Sequence, residues 1–216
     1  MISRRSLGTT AVLASAAIGL TYEVAAQAPH VAMPAQAEAL PADLLRRMQE
    51  DPNTPAAGNG LGAVTVTEFF DYRCPYCRTM QPVLEKLVAK DRRVRLVFKD
   101  WPIFGGISVY AARVAIASQW QGKYAAVHKA LFALPRAMDE AAVRKAASDT
   151  GVELAQLDRD LAARGAEIES ALNRTREEAH AIGFRGTPGF VVGSTAAPGA
   201  LTESQMAALV NQAAAP

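Results

Sequence analysis

The stretch Ala63-Val64-Thr65-Val66-Thr67-Glu68-Phe69-Phe70-Asp71-Tyr72-Arg73-Cys74-Pro75-Tyr76-Cys77 decides the fold. Ala63 to Phe70 predicts a strand, with Val64, Val66 and Phe70 on one face by the period-two rule. Glu68 falls on that same face, an unusual place for an acid. A helix is predicted from the cysteine pair to about Lys90, with Met80, Val83, Leu84 and Leu87 along one side and Pro82 inside it, where a kink is expected. Val94 to Lys99 predicts a second strand, closed by Trp101-Pro102.

Working outward, Ile107 to Ile182 reads as five helices. The second stops at Pro135, Asp139 caps the third, and Gly183 takes the C-cap of the fifth. Gly189 to Gly193 reads as a buried strand, and Thr202 can cap a last helix. A strand–helix–strand start with a strand returning late predicts one sheet interrupted by a helical insertion. Ahead of the first strand, Leu40, Leu44, Leu45 and Met48 predict a short helix over residues 38–49. Residues 52–62 read as loop, and residues 29–36 as an Ala/Pro-rich disordered segment. The resulting division is 1–28, 29–62, 63–103, 104–183 and 184–216.

Residues 1–28 read as a signal peptide: Arg4 and Arg5, an apolar run from Ala11 to Leu20, then Ala26-Gln27-Ala28 as a cleavage site. An uncleaved anchor or a buried helix is the alternative. Ser3-Arg4-Arg5-Ser6-Leu7 leaves twin-arginine and Sec export both open. Export places the protein in the periplasm, where disulfides persist. A formal net charge of +2 with no basic run speaks against nucleic-acid binding.

The chain has 2 cysteines, three positions apart, so they cannot staple distant segments. At a helix start, unsatisfied N–H groups and the helix dipole favour a thiolate, lowering a cysteine pKa from about 8.5 towards roughly 3.5–7. Pro75 suits the first helical turn. Cys74 is therefore expected as an exposed nucleophile and Cys77 as the deeper resolving thiol, working through a mixed disulfide. A zinc site would need about four ligands, and His30, His128 and His180 are not spaced to supply them; no metal is expected. An inert local disulfide is the other alternative. His128 reads as a packed core residue, and Asp71 as a solvated loop acid.

Glu68 through Cys77 resembles the active-site stretch of the DsbA-like bacterial disulfide oxidoreductases, especially the copper-sensitivity suppressor C and Com1-like branch. Lys99-Asp100-Trp101-Pro102-Ile103 is similar to the family's segment after the second strand. Gly186-Thr187-Pro188 with Phe190-Val191-Val192 looks like its cis-proline loop and following strand, and Pro198-Gly199-Ala200 like its turn into the last helix. The resemblance covers roughly residues 52–214. It implies an α/β thioredoxin fold with an inserted helical domain, and a cis Pro188 beside Cys74. Thr187 would then pair with an extended substrate, and Pro75 and Tyr76 would contact it.

The resemblance also gives Glu68 a role. Family members carry an acid six residues before the first cysteine, and a buried one would move a proton to or from Cys77. A core acid paired with Lys99 is the alternative. No cofactor beyond the Cys74–Cys77 disulfide is implied. The partners implied are unfolded or misoxidised exported proteins and a membrane redox protein, DsbB-like if the chain oxidises, DsbD-like if it reduces. Direction stays open between a DsbA-like oxidase and an isomerase or reductase. Thr187 is a choice that family isomerases also make, and residues 38–49 could associate a homo-oligomer. A non-enzymatic envelope scaffold or metal-handling protein is the remaining reading.

Overall fold

The structure, a computed structural model, describes residues 39–51 and 54–215. The signal-peptide reading of residues 1–28 and the disordered reading of 29–36 lie outside the described residues. Among the described residues no helix is long and apolar enough to cross a membrane.

Five strands form one mixed sheet: β1 (Ala56–Gly58), β2 (Val64–Phe70), β3 (Val94–Asp100), β4 (Gly189–Val192) and β5 (Thr195–Pro198), in the order β1-β3-β2-β4-β5. β2 and β3 run parallel, joined by α2 (Pro75–Lys90). β4 returns antiparallel beside β2, placing Phe190 opposite Glu68. Between β3 and β4 lie α3 (Gly106–Ser118), α4 (Tyr124–Ala133), α5 (Glu140–Asp149), α6 (Leu154–Ala163) and α7 (Gly165–Ile182), with one 3-10 turn at Gln119–Gln121. This is the thioredoxin fold with a helical insertion that the resemblance implies.

Alternation along β2 sends residues into two cores. Val64, Val66 and Phe70 pack with Met80 and Leu84 of α2 and Met206 of α8 (Glu203–Ala213). Phe69 faces the other way, into a cluster with Met48, Trp101, Ala179, Phe184 and Val191. Met48 comes from α1 (Ala42–Gln49), and Ala179 from the last turns of α7. Burying each of these large side chains stabilises by about 1.5–3 kcal/mol relative to exposure.

Local signals hold as expected. Asp139 accepts from the Ala142 N–H, Thr202 forms a capping box with Gln205, and Gly183 closes α7 at φ 89°. α2 runs through Pro82 without a break. Two expectations change. Part of the predicted loop 52–62 is β1, and β5 spans Thr195–Pro198, of which only Pro198 had a reading, as the start of a turn. Neither segment alternates apolar and polar residues; the hydrogen bonds to β3 and β4 hold them extended.

Gly189 is needed for a close approach. A Cβ there would stand 2.6 Å from the Phe184 ring. That ring is 3% exposed and packs edge-on against Phe69, so it has nowhere to go. Gly189→Ala should therefore cost about 1–3 kcal/mol, the usual range for overpacking, read from the urea midpoint of equilibrium unfolding.

Candidate active site

Cys74 is the N-cap of α2 and Pro75 its first residue. The Cys74 sulfur accepts from the Cys77 N–H at 3.3 Å, and as a thiol it donates to the Thr187 carbonyl at 3.2 Å. The Thr187–Pro188 bond is cis. The loop before β4 thus lies directly against the first cysteine, as the resemblance implies.

One expectation needs correction. Cys74 is 1% exposed, and the motif's exposed member is Tyr76 at 64%. The Thr187 carbonyl, 3.2 Å from the sulfur, is one of the groups packed against it. Cys77 is fully buried, as expected.

The two thiols are driven apart electrostatically. Hydrogen bonding from the Cys77 side chain holds Cys74 down to about 6 against the cost of its burial, with further help from Thr187 and the N–H groups of Cys77 and Tyr76. Burial pushes Cys77 far up, and the nearby Cys74 and Glu68 add to it. One group is poised as a thiolate, the other as a proton-holding thiol.

Beneath them, Glu68 is fully buried and neither carboxyl oxygen has a hydrogen-bond partner. Burial raises it to about 8; the Gln81 side chain opposes this, while charge on Cys74 and Asp100 adds to it. The alternative pairing with Lys99 is not made. The Lys99 ammonium lies 2.9 Å from Glu178 on α7, on the far side of the sheet.

Asp71 also departs from expectation. It is not a solvated loop acid but is 2% exposed. Its carboxylate accepts from the N–H groups of Arg73, Ile103 and Phe104 and from the Ser108 hydroxyl, all at 2.7–3.0 Å. Its backbone carbonyl accepts from the Cys74 N–H at 2.9 Å.

A buried polar cluster escaped the sequence reading. The Tyr124 hydroxyl donates to Asp100 at 2.6 Å, while the other Asp100 oxygen has no partner. Burial lifts Asp100 to about 7. His128, packed in the core as expected, spans 3.2 Å contacts to the Tyr72 hydroxyl and the Gln81 carbonyl oxygen; burial lowers it to about 3, so it stays neutral. The signal for Asp100 was available. Leu96, Phe98 and Asp100 alternate just as Val66, Glu68 and Phe70 do. Among the described residues no group of three or more His, Cys, Asp or Glu side chains is placed to hold a metal ion.

The family profile of the DSBA-like thioredoxin domain matches residues 65–211. The thiol:disulfide interchange protein DsbA of Bordetella parapertussis is 26% identical over 146 residues, covering 65% of this chain and 68% of that protein. A thioredoxin-like oxidoreductase from Silicibacter pomeroyi is 41% identical with a TM-score of 0.72, covering 78% of this chain and 96% of that one. The catalytic domain of Proteus mirabilis ScsC is 25% identical with a TM-score of 0.70, covering 79% and 97%.

Two titrations follow from the opposed shifts. In the reduced protein, alkylation of Cys74 by iodoacetamide should rise with pH to a plateau, with a midpoint of about 6. Cys77→Ala removes the largest cause of that shift and should move the midpoint upward, as read by thiolate absorbance. For Glu68, the folded pKa lies above the unfolded one, so its contribution is most favourable below about 4.5 and is lost as pH rises to about 8. Glu68→Gln should therefore gain stability relative to wild type across that window and level off above it, measured as the difference in Tm at each pH.

Proposed function

The chain belongs to the family of DSBA-like thioredoxin domains, which are thiol:disulfide oxidoreductases, and on that premise we propose that it is a periplasmic oxidase that donates the Cys74–Cys77 disulfide to exported proteins. The observation that supports the direction is the placing of Cys74 at the N-cap of α2, its sulfur accepting from the Cys77 N–H, an environment that depresses its pKa. A stabilised thiolate favours the reduced pair over its disulfide, which makes the disulfide a stronger oxidant.

The steps balance as follows. A client thiolate attacks Cys74 Sγ, a client–Cys74 disulfide forms, and the Cys74–Cys77 bond breaks. Cys77 leaves as a thiolate and takes a proton from Glu68, which burial keeps protonated below about 8. A second client thiolate then attacks the client sulfur of the mixed disulfide. The client disulfide forms, and Cys74 departs as the low-pKa thiolate. The client has lost two electrons and the cysteine pair has gained them. A DsbB-like membrane partner would accept them and restore the disulfide.

Thr187 and Pro188 sit where an extended client could align along the loop, with Pro75 and Tyr76 on its flank. Large apolar side chains left exposed support an unfolded client. Leu61 lies elsewhere, but Tyr76, Ile103 and Phe104 stand beside the cysteine motif or on the loop that Asp71 anchors to it.

Thr187 is also compatible with an isomerase. Its proposed association helix, however, spends its apolar face at home: Leu44 is 7% exposed and Met48 fully buried within the chain's own fold. The oxidase reading expects a monomer that oxidises reduced ribonuclease faster than it reactivates scrambled ribonuclease. The opposite ranking, together with an oligomer by light scattering, would establish the isomerase instead. Full activity in Cys74→Ser would sink both.

A further inference from the structure

The formal net charge of the whole chain is only +2, yet cations gather at one place. Arg73 directly precedes Cys74, and Arg78 follows Cys77. Arg73 Nε donates to the Arg136 carbonyl, and Arg136 Nε to the Arg73 carbonyl. Arg73 also donates to the Phe104 carbonyl, and Arg78 to those of Phe132 and Tyr72. Every one of these partners is neutral backbone. Burial and then the Arg136 charge hold the Arg78 guanidinium below its ordinary value, so like charges stand close here.

The other side of the motif continues the pattern. A groove of about 560 Å³ runs between the Trp101–Ile103 loop and α7, with Arg176, His180 and Arg185 in its lining. Its walls are tied to the reacting sulfur. Arg185 is two residues before Thr187, whose carbonyl is 3.2 Å from Cys74 Sγ, and the Ile103 N–H is held by Asp71, three residues before Cys74. Arg176 and Arg185 are both exposed and, among the described residues, neither is in an ion pair.

Several acids nearby are already engaged. Asp71 is buried under four donors, Glu169 in the groove lies 3.5 Å from Arg113, Glu85 pairs with Lys129, and Asp139 caps α5. Five arginines thus stand around an apolar platform, and among the described residues none of them is in an ion pair.

We propose that Arg73, Arg78, Arg136, Arg176 and Arg185 make this site select polypeptide segments carrying Asp or Glu close to the reacting cysteine. The inference rests on the thiol–disulfide exchange reading and names its client class. Tyr76, Ile103 and Phe104 contact the client's apolar residues, and the arginines steer and hold its acidic ones. A cleft rimmed by one sign of charge concentrates oppositely charged partners and raises their encounter rate by roughly 10–1000-fold at low salt.

The test uses single-cysteine peptides activated as mixed disulfides, identical except for two flanking residues: Asp/Glu, Ser/Ser or Lys/Lys. Reaction with the reduced protein is followed by stopped flow, with dithiothreitol and its cyclic disulfide as uncharged controls. The acidic peptide should react at least about tenfold faster than the basic one at low salt. The gap should close near 1 M NaCl, where the screening length falls from about 30 Å at 0.01 M to about 3 Å. Arg176→Gln/Arg185→Gln should shrink the acidic-to-basic ratio, and Arg176→Lys/Arg185→Lys should restore most of it.

Equal rates for the acidic and basic peptides, or a ratio unmoved by both salt and the glutamine pair, would overturn the charge selection while leaving exchange itself intact. Failure to react with any peptide or with the dithiothreitol couple would instead overturn the exchange reading, and the client class with it.

Discussion

The carboxylate of Asp71 fixes the place where three segments meet. It collects the N–H groups of Arg73, Ile103 and Phe104 and the Ser108 hydroxyl, and its own carbonyl takes the Cys74 N–H. Those bonds set where β2 ends, where α2 begins, and how the chain leaves β3 for the helical insertion. A buried carboxylate is costly unless its lone pairs are filled, and here they are filled by groups 2 to 37 residues away. The Cys74 sulfur therefore sits at the first turn of α2 in a position dictated by β2 and the start of α3 together.

From that fixed point the electrostatics follow. N–H groups at the helix start, together with the Cys77 side chain, favour negative charge on Cys74. Burial one turn deeper disfavours it on Cys77 and Glu68. Glu68 cannot escape by pairing, because strand alternation directs it toward α2 while Lys99, on the neighbouring strand, points to Glu178 across the sheet. A buried acid with no ion-pair partner keeps its proton, and one that keeps its proton near neutral pH can give it to a departing thiolate.

Much of the fold was legible because its signals are local. Asp139, Gly183 and Thr202 are read within one turn of their own helix ends, and the two long strands announce themselves by alternation. β1 and β5 were not legible: Ala-Ala-Gly and Thr-Ala-Ala-Pro have no pattern of their own, and only the neighbouring strand makes them extended. At the site, Cys74, Cys77, Glu68 and the cis Pro188 were placed by motif and resemblance. Asp71 was misread because its partners lie in another segment. Cys74 was expected in the open because nothing in the sequence says how closely the Thr187 loop packs against it. Asp100 was readable by the same alternation that marked Glu68, but the strand was read as ending at Lys99 and Asp100 as part of the segment after it.

The helical insertion is part of the redox site rather than an appendage to it. α4 supplies Tyr124 to Asp100, and His128 to both Tyr72 and Gln81. His128 lies 4.9 Å from Phe70, 4.4 Å from Phe98 and 5.0 Å from Phe132, ring centre to ring centre, so the aromatics exclude water around it. That dry wall keeps His128 neutral, and burial in the same core raises Glu68 and Asp100. Without α4, Asp100 would lose its Tyr124 partner and part of its cover, and solvent would return it toward ordinary acidity. The buried polar site is thus a joint product of the sheet, which aims the acids inward, and the insertion, which contacts Asp100, Tyr72 and Gln81 from the other side.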